Sequence, residues 1–459
     1  MTDPAWLTLR EAAAAVRDRR LSSRELTEAV LARARRLNPR LNAVISFDDE
    51  DALAAADRAD ATAPSGPLHG VPLAHKDMFH RAGKVVTCGS ALRRGFRPPD
   101  AAHVLDRLAG AGAFPWGALH MVEFAFGVTG HNAAFGPARN PHDPSRITGG
   151  SSSGSGAAVA AGLSFASLGS DTGGSVRLPS HFCGVTGLKT SFGLVSRAGA
   201  MPLSASLDTI GALARDAADL RLLLPLIAGA DPRDPATGAP WRKDARAAKE
   251  MTIGVADAFY VEDLHPAVAR ACDAAIETFR ALGVRVRTVR LPDQRAFSAA
   301  AVTILGSEAA ALHRNGLRDH ADLYGPQTRA RLLNGFAYPA ALYVDALRAR
   351  GPGLAAQIEA MDACDAILAP TAPFPAPAIA ETDVATGAEA LIADVSRFMR
   401  PVNYLGLPAL ALPAGASDAG LPVGVQLMGR PGRDDALLTL GEAFQAATDH
   451  HLRRPRDPT

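Results

Sequence analysis

The segment from Gly149 to Ser175, G-G-S-S-S-G-S-G-A-A-V-A-A-G-L-S-F-A-S-L-G-S-D-T-G-G-S, restricts what this chain can become more than any other feature. Glycine and serine make poor helix or strand interiors, and glycine loses more conformational freedom on ordering than any other residue. Yet Leu163, Phe165, Leu168, Val176, Leu178 and Phe182 are threaded through the segment and its continuation, so it reads as packed core and not as a flexible tether. Buried hydroxyls and backbone N–H groups need partners, so a core this polar requires an organised hydrogen-bond network. Such a network costs stability, and function is the reason to keep one. The small residues from Ala157 to Gly162 predict a helix lying very close to its neighbours, with loops on either side.

Two local patterns in this region point elsewhere. Gly150-Ser151-Ser152-Ser153-Gly154 fits the G-x-S-x-G turn of α/β-hydrolases, which would make Ser152 a nucleophile. That turn follows a buried strand, whereas Ala138 to Arg146 is polar and holds two prolines. Gly184-Val185-Thr186-Gly187-Leu188-Lys189-Thr190 resembles a phosphate-binding loop, but its glycine spacing is too short and Leu188 separates glycine from lysine.

The rest of the chain alternates helices and strands. Leu7 to Leu37 predicts two consecutive helices, with a capping signal at Ser22-Ser23-Arg24-Glu25. Pro67 to Asp77 is a Gly/Pro-punctuated turn feeding a short apolar run that delivers Lys76 inward as the end of a buried strand. Met251–Val255, a helix from Pro266 to Leu282 and the alternating Val284–Leu291 predict a βαβ unit. Further strands are expected at 366–370, 408–413 and 422–428, and a closing helix at 433–447. No composition break marks a linker, which argues for one large α/β domain. It divides into N-terminal helices (7–60), a core (70–216), a middle helical and βαβ region (217–360) and C-terminal strands with a helix (361–450).

With 48 Lys and Arg against 47 Asp and Glu, the net charge of +1 gives no field to gather nucleic acid or anionic lipid. The basic tail from His450 to Arg454 reads as a solvated terminus. Four scattered cysteines, Cys88, Cys183, Cys272 and Cys364, have neither zinc-like spacing nor the density of a disulfide scaffold. No basic leader and no run of about 18 apolar residues is visible, so a cytoplasmic chain without a membrane partner is expected.

Taken together, Gly149–Ser155, Gly169-Ser170-Asp171-Thr172-Gly173-Gly174-Ser175-Val176-Arg177 and Cys183–Lys189 resemble the amidase signature family. The likeness extends upstream through Gly70–Asp77 and downstream through Leu368–Thr371 and Gly420–Leu427. It implies a central mixed β-sheet covered by helices on both faces. It also implies a catalytic set of Lys76, Ser151 preceded by a cis peptide bond at Gly150, and Ser175 as nucleophile. Residues 154–156 read Gly-Ser-Gly where many members have Gly-Gly-Ser, and Thr190-Ser191 replaces the common Pro-Thr, which leaves the subfamily open.

The chemistry suits these residue types. A serine hydroxyl needs a base, and serine–lysine arrangements are a known variant. Lysine titrates at about 10.4 in water, so Lys76 must be desolvated to act as a base at neutral pH. A glycine-rich turn exposes backbone N–H groups, and Thr172, Gly173, Gly174 and Ser175 are the expected oxyanion donors. Asp171 and Arg177 flank the turn and are expected to brace it through a charge-assisted pair. His75 should face away from Lys76, because successive strand residues point to opposite faces, and His181 is read as a packing residue. The resemblance further suggests that Ala125, Phe126 and Val128 wall an apolar acyl site. Neither metal nor cofactor is expected. The implied activity is hydrolysis of a small or medium amide, with related esters or carbamates accepted. The alternatives are a glutamine-hydrolysing component of a tRNA-dependent amidotransferase, which would need partner proteins, and a silent binding protein. Family relatives are often homodimers, and the sequence leaves assembly open.

Overall fold

The computed structural model describes residues 3–238, 241–383 and 387–457. Its largest sheet is mixed and runs in the spatial order Arg285–Val289, Thr252–Ala256, Ala366–Pro370, Pro422–Gly429, Ala409–Ala416, Thr186–Lys189, Thr209–Ala214, Ala166–Asp171. The first three strands are parallel and the remaining pairings antiparallel. The parallel end is the expected βαβ unit, whose helix Pro266–Ala281 starts with proline at its first position and His265 as N-cap.

Alternation along the strands builds two cores. Ile367, Ala369, Ala409 and Met428 pack with Leu178, Phe182, Ile304 and Tyr404. Leu368, Leu410, Leu412, Val425 and Leu427 pack with Val268, Leu437 and Phe444. Helices therefore cover both faces, as the resemblance implies.

Lys76 ends the strand Pro72–Lys76, every residue of which is buried. This strand lies not in the large sheet but in a separate three-stranded one, parallel to Phe114–Leu119, which pairs in turn with Val44–Phe47. The small sheet meets the edge strand Ala166–Asp171 side on: Ser164 Oγ accepts from Ala74 N (3.1 Å), and His75 Nδ1 accepts from Leu168 N (3.1 Å). These contacts carry Lys76 to the Gly/Ser segment.

That segment departs from the loop, helix, loop expectation. Its helix spans Ser153–Ala160, starting well before Ala157, and Ala166–Asp171 is a strand paired residue for residue with Thr209–Ala214. Tertiary packing overrides propensity here, because only minimal side chains fit. A Cβ on Gly154 would stand 2.3 Å from Ala43 O and from His120 N. One on Gly169 would stand 2.6 Å from Ser152 Oγ.

Other expectations shift as well. The N-terminal pair is Leu9–Arg17 and Ser23–Leu41, the second opened by a Ser22/Glu25 capping box. The polar stretch before Gly150 does form a hairpin, Arg139–Asn140 against Asp143–Ile147, although it stands apart from the large sheet. The basic tail is exposed at Leu452, Arg453 and Arg454, as expected, yet it is tethered: the Arg454 guanidinium lies 4.6 Å over the Trp6 ring, and beyond it Asp457 pairs with Arg33 and Arg36. Gln294–Leu323 is long and apolar enough to cross a membrane by length and composition, although Ser298, Thr303, Ser307, Glu308 and His313 interrupt it, so it is not an unbroken apolar run. It packs against Pro326–Gly335 and Ala340–Ala360, and 44% of its most apolar window is buried.

Since the atoms facing Gly154 are main-chain atoms that cannot swing aside, Gly154→Ala should lower stability by about 2 kcal/mol or more. A urea midpoint unchanged from the parent chain would contradict this close approach.

Candidate active site

Four chain segments converge at one point. The strand ending in Lys76 brings an amine that is 1% exposed to 2.7 Å from Ser151 Oγ and 2.8 Å from Ser170 Oγ. Ser151 follows a cis Gly150–Ser151 peptide. Its carbonyl accepts from Val122 N (3.1 Å), and the next residue's N–H donates to Ser175 O (3.2 Å). The backbones of the Ser151 and Ser175 segments are thus stitched together.

Ser175 is 4% exposed and opens onto a cavity of ≈ 860 Å³ shared with Thr172 and Gly173. Ala125, Phe126 and Val128 line the same cavity. They are turned toward it by a short kinked stretch in which Phe124 and Ala125 take φ of +50° and +60°. Among the described residues, the Ser175 hydroxyl makes no side-chain hydrogen bond. The structure therefore forms the Lys76–Ser151 contact and leaves the Ser151–Ser175 contact unmade.

The turn from Asp171 to Arg177 has a buried ion pair at its root. Arg177 Nη2 lies 3.1 Å from Asp171 Oδ1, with both side chains fully buried. The same carboxylate accepts from Gly174 N (2.8 Å), Val176 N (3.2 Å) and Arg177 N (3.4 Å). Asn403 Nδ2 donates to it at 2.9 Å, while Arg177 also donates to Asn403 Oδ1 and Gln426 Oε1. Of the four N–H groups expected to face the substrate oxygen, Gly174's is already taken by Asp171. Those of Thr172, Gly173 and Ser175 have no hydrogen-bond partner among the described residues. Glycine is required at 174: its φ is +113°, and a Cβ would come within 2.5 Å of Met399 Cγ.

Burial governs the charges. It drives the Lys76 amine down to about 7, against the opposing pull of Asp208 and Asp171, which stand off without contacting it. Burial pushes the Asp171 carboxyl up, but the Arg177 guanidinium outweighs it and holds the group below the ordinary carboxylate range. Burial also drives His75 down to about 3 and His181 to about 4, so both are neutral. His181 is fixed between Phe374 O (3.1 Å) and Gly424 N (3.0 Å). His75 and Lys76 both reach strand Ala166–Asp171, His75 at Leu168 N and Lys76 at Ser170 Oγ. His75 spends its ring nitrogen on a backbone N–H and is not placed as a base. Lys189, the lysine of the rejected phosphate-loop pattern, donates to Thr190 O and Leu407 O, which caps it with backbone carbonyls.

Sequence reasoning missed Ser170, Asp208, Asn403 and Gln426. Ser170 stands inside the Gly169–Arg177 motif, directly before Asp171, and its hydroxyl was a signal within reach. Asp208 accepts from Thr172 Oγ1 (2.6 Å), Leu203 N (2.8 Å) and Ser204 N (3.0 Å), tying the donor turn to the cavity wall. Gln426 is a lone amide in an apolar strand, a signal in itself, whereas Asn403 carried none.

The model of the family described as Amidase matches residues 25–438. The chain is 37% identical over 480 residues to a curated relative from Geobacter metallireducens, the A component of its glutamyl-tRNA(Gln) amidotransferase, covering 98% of each. A solved chain from a vestigial protein complex that reveals the evolutionary origins of an s-triazine catabolic enzyme superposes with a TM-score of 0.90 at 34% identity, covering 99% of this chain and 100% of that one. A crystal structure of an amidase gives a TM-score of 0.86 at 34% identity, with 96% and 99% covered.

The chain has five lysines, and burial holds Lys76 and Lys189 at about 7. In carbon-13 NMR of lysine-labelled protein, two side-chain signals should therefore titrate near neutrality, one of them vanishing in Lys76→Met. A Lys76 signal that titrates only above pH 9 would refute the desolvation argument.

Proposed function

Because the chain belongs to the amidase family, we propose that it hydrolyses the C–N bond of a carboxamide through an acyl-enzyme on Ser175, with Ser151 and Lys76 relaying the proton. The observation that carries this reading is the Lys76 amine, which no carboxylate contacts among the described residues and which sits between two serine hydroxyls. A neutral amine has one lone pair. Donating N–H to Ser170 Oγ aims that lone pair at the Ser151 hydroxyl.

In the proposed reaction Ser175 Oγ attacks the carbonyl carbon and gives its proton to Ser151 Oγ, while Ser151 passes its own to Lys76. The oxyanion is met by the unpartnered N–H groups of Thr172, Gly173 and Ser175, each such donor lowering the barrier by about 3 kcal/mol. Lys76 then returns the proton through Ser151 to the departing nitrogen, the C–N bond breaks, and the amine leaves. Water repeats the path to release the acid. The relay requires the Ser175 hydroxyl to turn toward Ser151, and the Ser152 N to Ser175 O link does not oppose that turn because it restrains backbone alone. The Asp171–Arg177 pair acts as a positioning device for the donor turn.

Two substrate readings remain within this chemistry. Full-length likeness to a component of a glutamyl-tRNA(Gln) amidotransferase favours the alternative, a glutamine-hydrolysing chain that works with partner proteins. That relative's name also removes support for the expectation that nucleic acid plays no part. The apolar wall of Ala125, Phe126 and Val128 favours the other reading, a small or medium carboxamide cleaved by the chain alone. Intact Lys76, Ser151 and Ser175 weigh against a silent binding protein.

Ser175→Ala should abolish turnover and labelling by a fluorophosphonate probe; a mutant that is still labelled would move the nucleophile elsewhere. Lys76→Ala should cost about 10³-fold in rate, within the usual span for a general base. In the parent chain the rate should rise with pH through a midpoint near 7, because the amine acts only when deprotonated above its lowered value. A flat profile between pH 5.5 and 8.5 would exclude Lys76 as the base.

A further inference from the structure

Two guanidiniums in the wall of the cavity in front of Ser175 have no ion-pair partner among the described residues. Arg331, on helix Pro326–Gly335, and Arg400, at the start of helix Arg400–Tyr404, both line it. Arg331 Nη1 donates to Phe126 O (2.7 Å) and Arg400 Nη2 to Ser396 Oγ (2.8 Å). Neither binds a carboxylate among the described residues, whereas other partly buried arginines such as Arg197, Arg221 and Arg246 each do. Glu123, an acid on the same wall, is already engaged by Ser90 Oγ (2.6 Å) and Gly325 N (2.9 Å). Of the other acids on the wall, Asp383 lies by His131 and Glu389 opens its own helix.

Two like charges drawn out of water repel each other; their single neutral hydrogen-bond partners, and for Arg400 the Tyr338 and Asp394 side chains acting at longer range, offset this only in part. Burial, and then the Arg400 charge, lower Arg331 to about 10, so it remains cationic at neutral pH. A guanidinium fork matches a carboxylate with two parallel hydrogen bonds.

From this arrangement we propose that the substrate is an amide that also bears a carboxylate and lacks an ammonium group, its carboxylate held between Arg331 and Arg400. The proposal rests on the reading that Ser175 is the hydrolytic nucleophile, and names the substrate class of that site. It also divides the two substrate readings. An α-ammonium beside the bound carboxylate, as in glutamine, would be pressed against two guanidiniums, whereas the monoamide of a dicarboxylic acid would not.

Binding to the full-length Ser175→Ala protein, measured by calorimetry, tests this without turnover. Succinamate and adipamate serve as anionic probes, butyramide and hexanamide as their neutral counterparts, and L-glutamine as the ammonium-bearing one. At least one anionic monoamide should bind about 100-fold more tightly than its neutral counterpart, and more tightly than glutamine. Adding Arg400→Gln or Arg331→Gln should remove most of that margin. Equal affinity for the neutral amide or for glutamine, or a margin that survives both arginine substitutions, would overturn the proposal. Fluorophosphonate labelling of Ser175 in the parent and in the single arginine variants reports separately on the nucleophile. Loss of labelling in the parent with selective binding retained would sink the hydrolytic reading and not the anion site, and labelling retained in the arginine variants shows that they are folded.

Discussion

A lysine amine sealed from water, with no carboxylate in contact among the described residues, is the constraint around which this site is organised. A charged ammonium in that position would cost several kcal/mol, and the fold meets the problem by favouring the neutral form. That solution holds only while nearby acids keep their distance. Asp171 is the critical one, since it sits on the same strand as Ser170 and would keep Lys76 protonated if it were a direct partner. Arg177 prevents this by occupying the Asp171 carboxylate, with Asn403 and the turn's own N–H groups taking the remaining lone pairs. One buried ion pair thereby shapes the donor turn and leaves the amine free for hydroxyl partners.

Such a site can be built only at very short range, which explains the composition that stands out in the sequence. Lys76 comes from the small sheet, Ser170 from the edge of the large one, and Ser151 and Ser175 from the two ends of the Gly/Ser segment. Bringing these pieces of backbone to hydroxyl–amine contact leaves no volume for side chains between them. Gly154 against Ala43 and His120, Gly156 against Pro179, and Gly169 against Ser152 mark where that volume was removed. The cost in backbone entropy is offset by large apolar cores on both faces of the sheet.

How far the sequence could be read follows from which of these forces acts locally. The βαβ unit, the strand ending at Lys76, the capped N-terminal helices and the C-terminal strands were legible because apolar periodicity and caps encode them within a few residues. Ala166–Asp171 was not, because its strand character comes from pairing with Thr209–Ala214 and not from its own residues. The Gly174 N–H was expected to face the substrate oxygen, but an aspartate three positions upstream reaches back to claim it, a local capping interaction that composition does not reveal. The Arg331–Arg400 juxtaposition was likewise invisible, since it joins two helices nearly seventy positions apart in sequence.

This division bears on what likeness to known proteins can say. The residues proposed to carry out the reaction all lie between Lys76 and Arg177, in and around the polar core, where any substitution must respect contacts shorter than a methyl group allows. Much of the outer cavity wall comes from elsewhere, from helix Pro326–Gly335 and from Glu389 to Arg400, and those side chains border the cavity instead of the packed polar core. Packing therefore restrains the first set far more than the second. A chain can retain full-length resemblance to an amidotransferase component through its core while charged residues on the wall redefine which amide fits. The residues that discriminate between amides are then those that line the cavity without touching the polar core, and Arg331 and Arg400, which have no ion-pair partner among the described residues, are two of them.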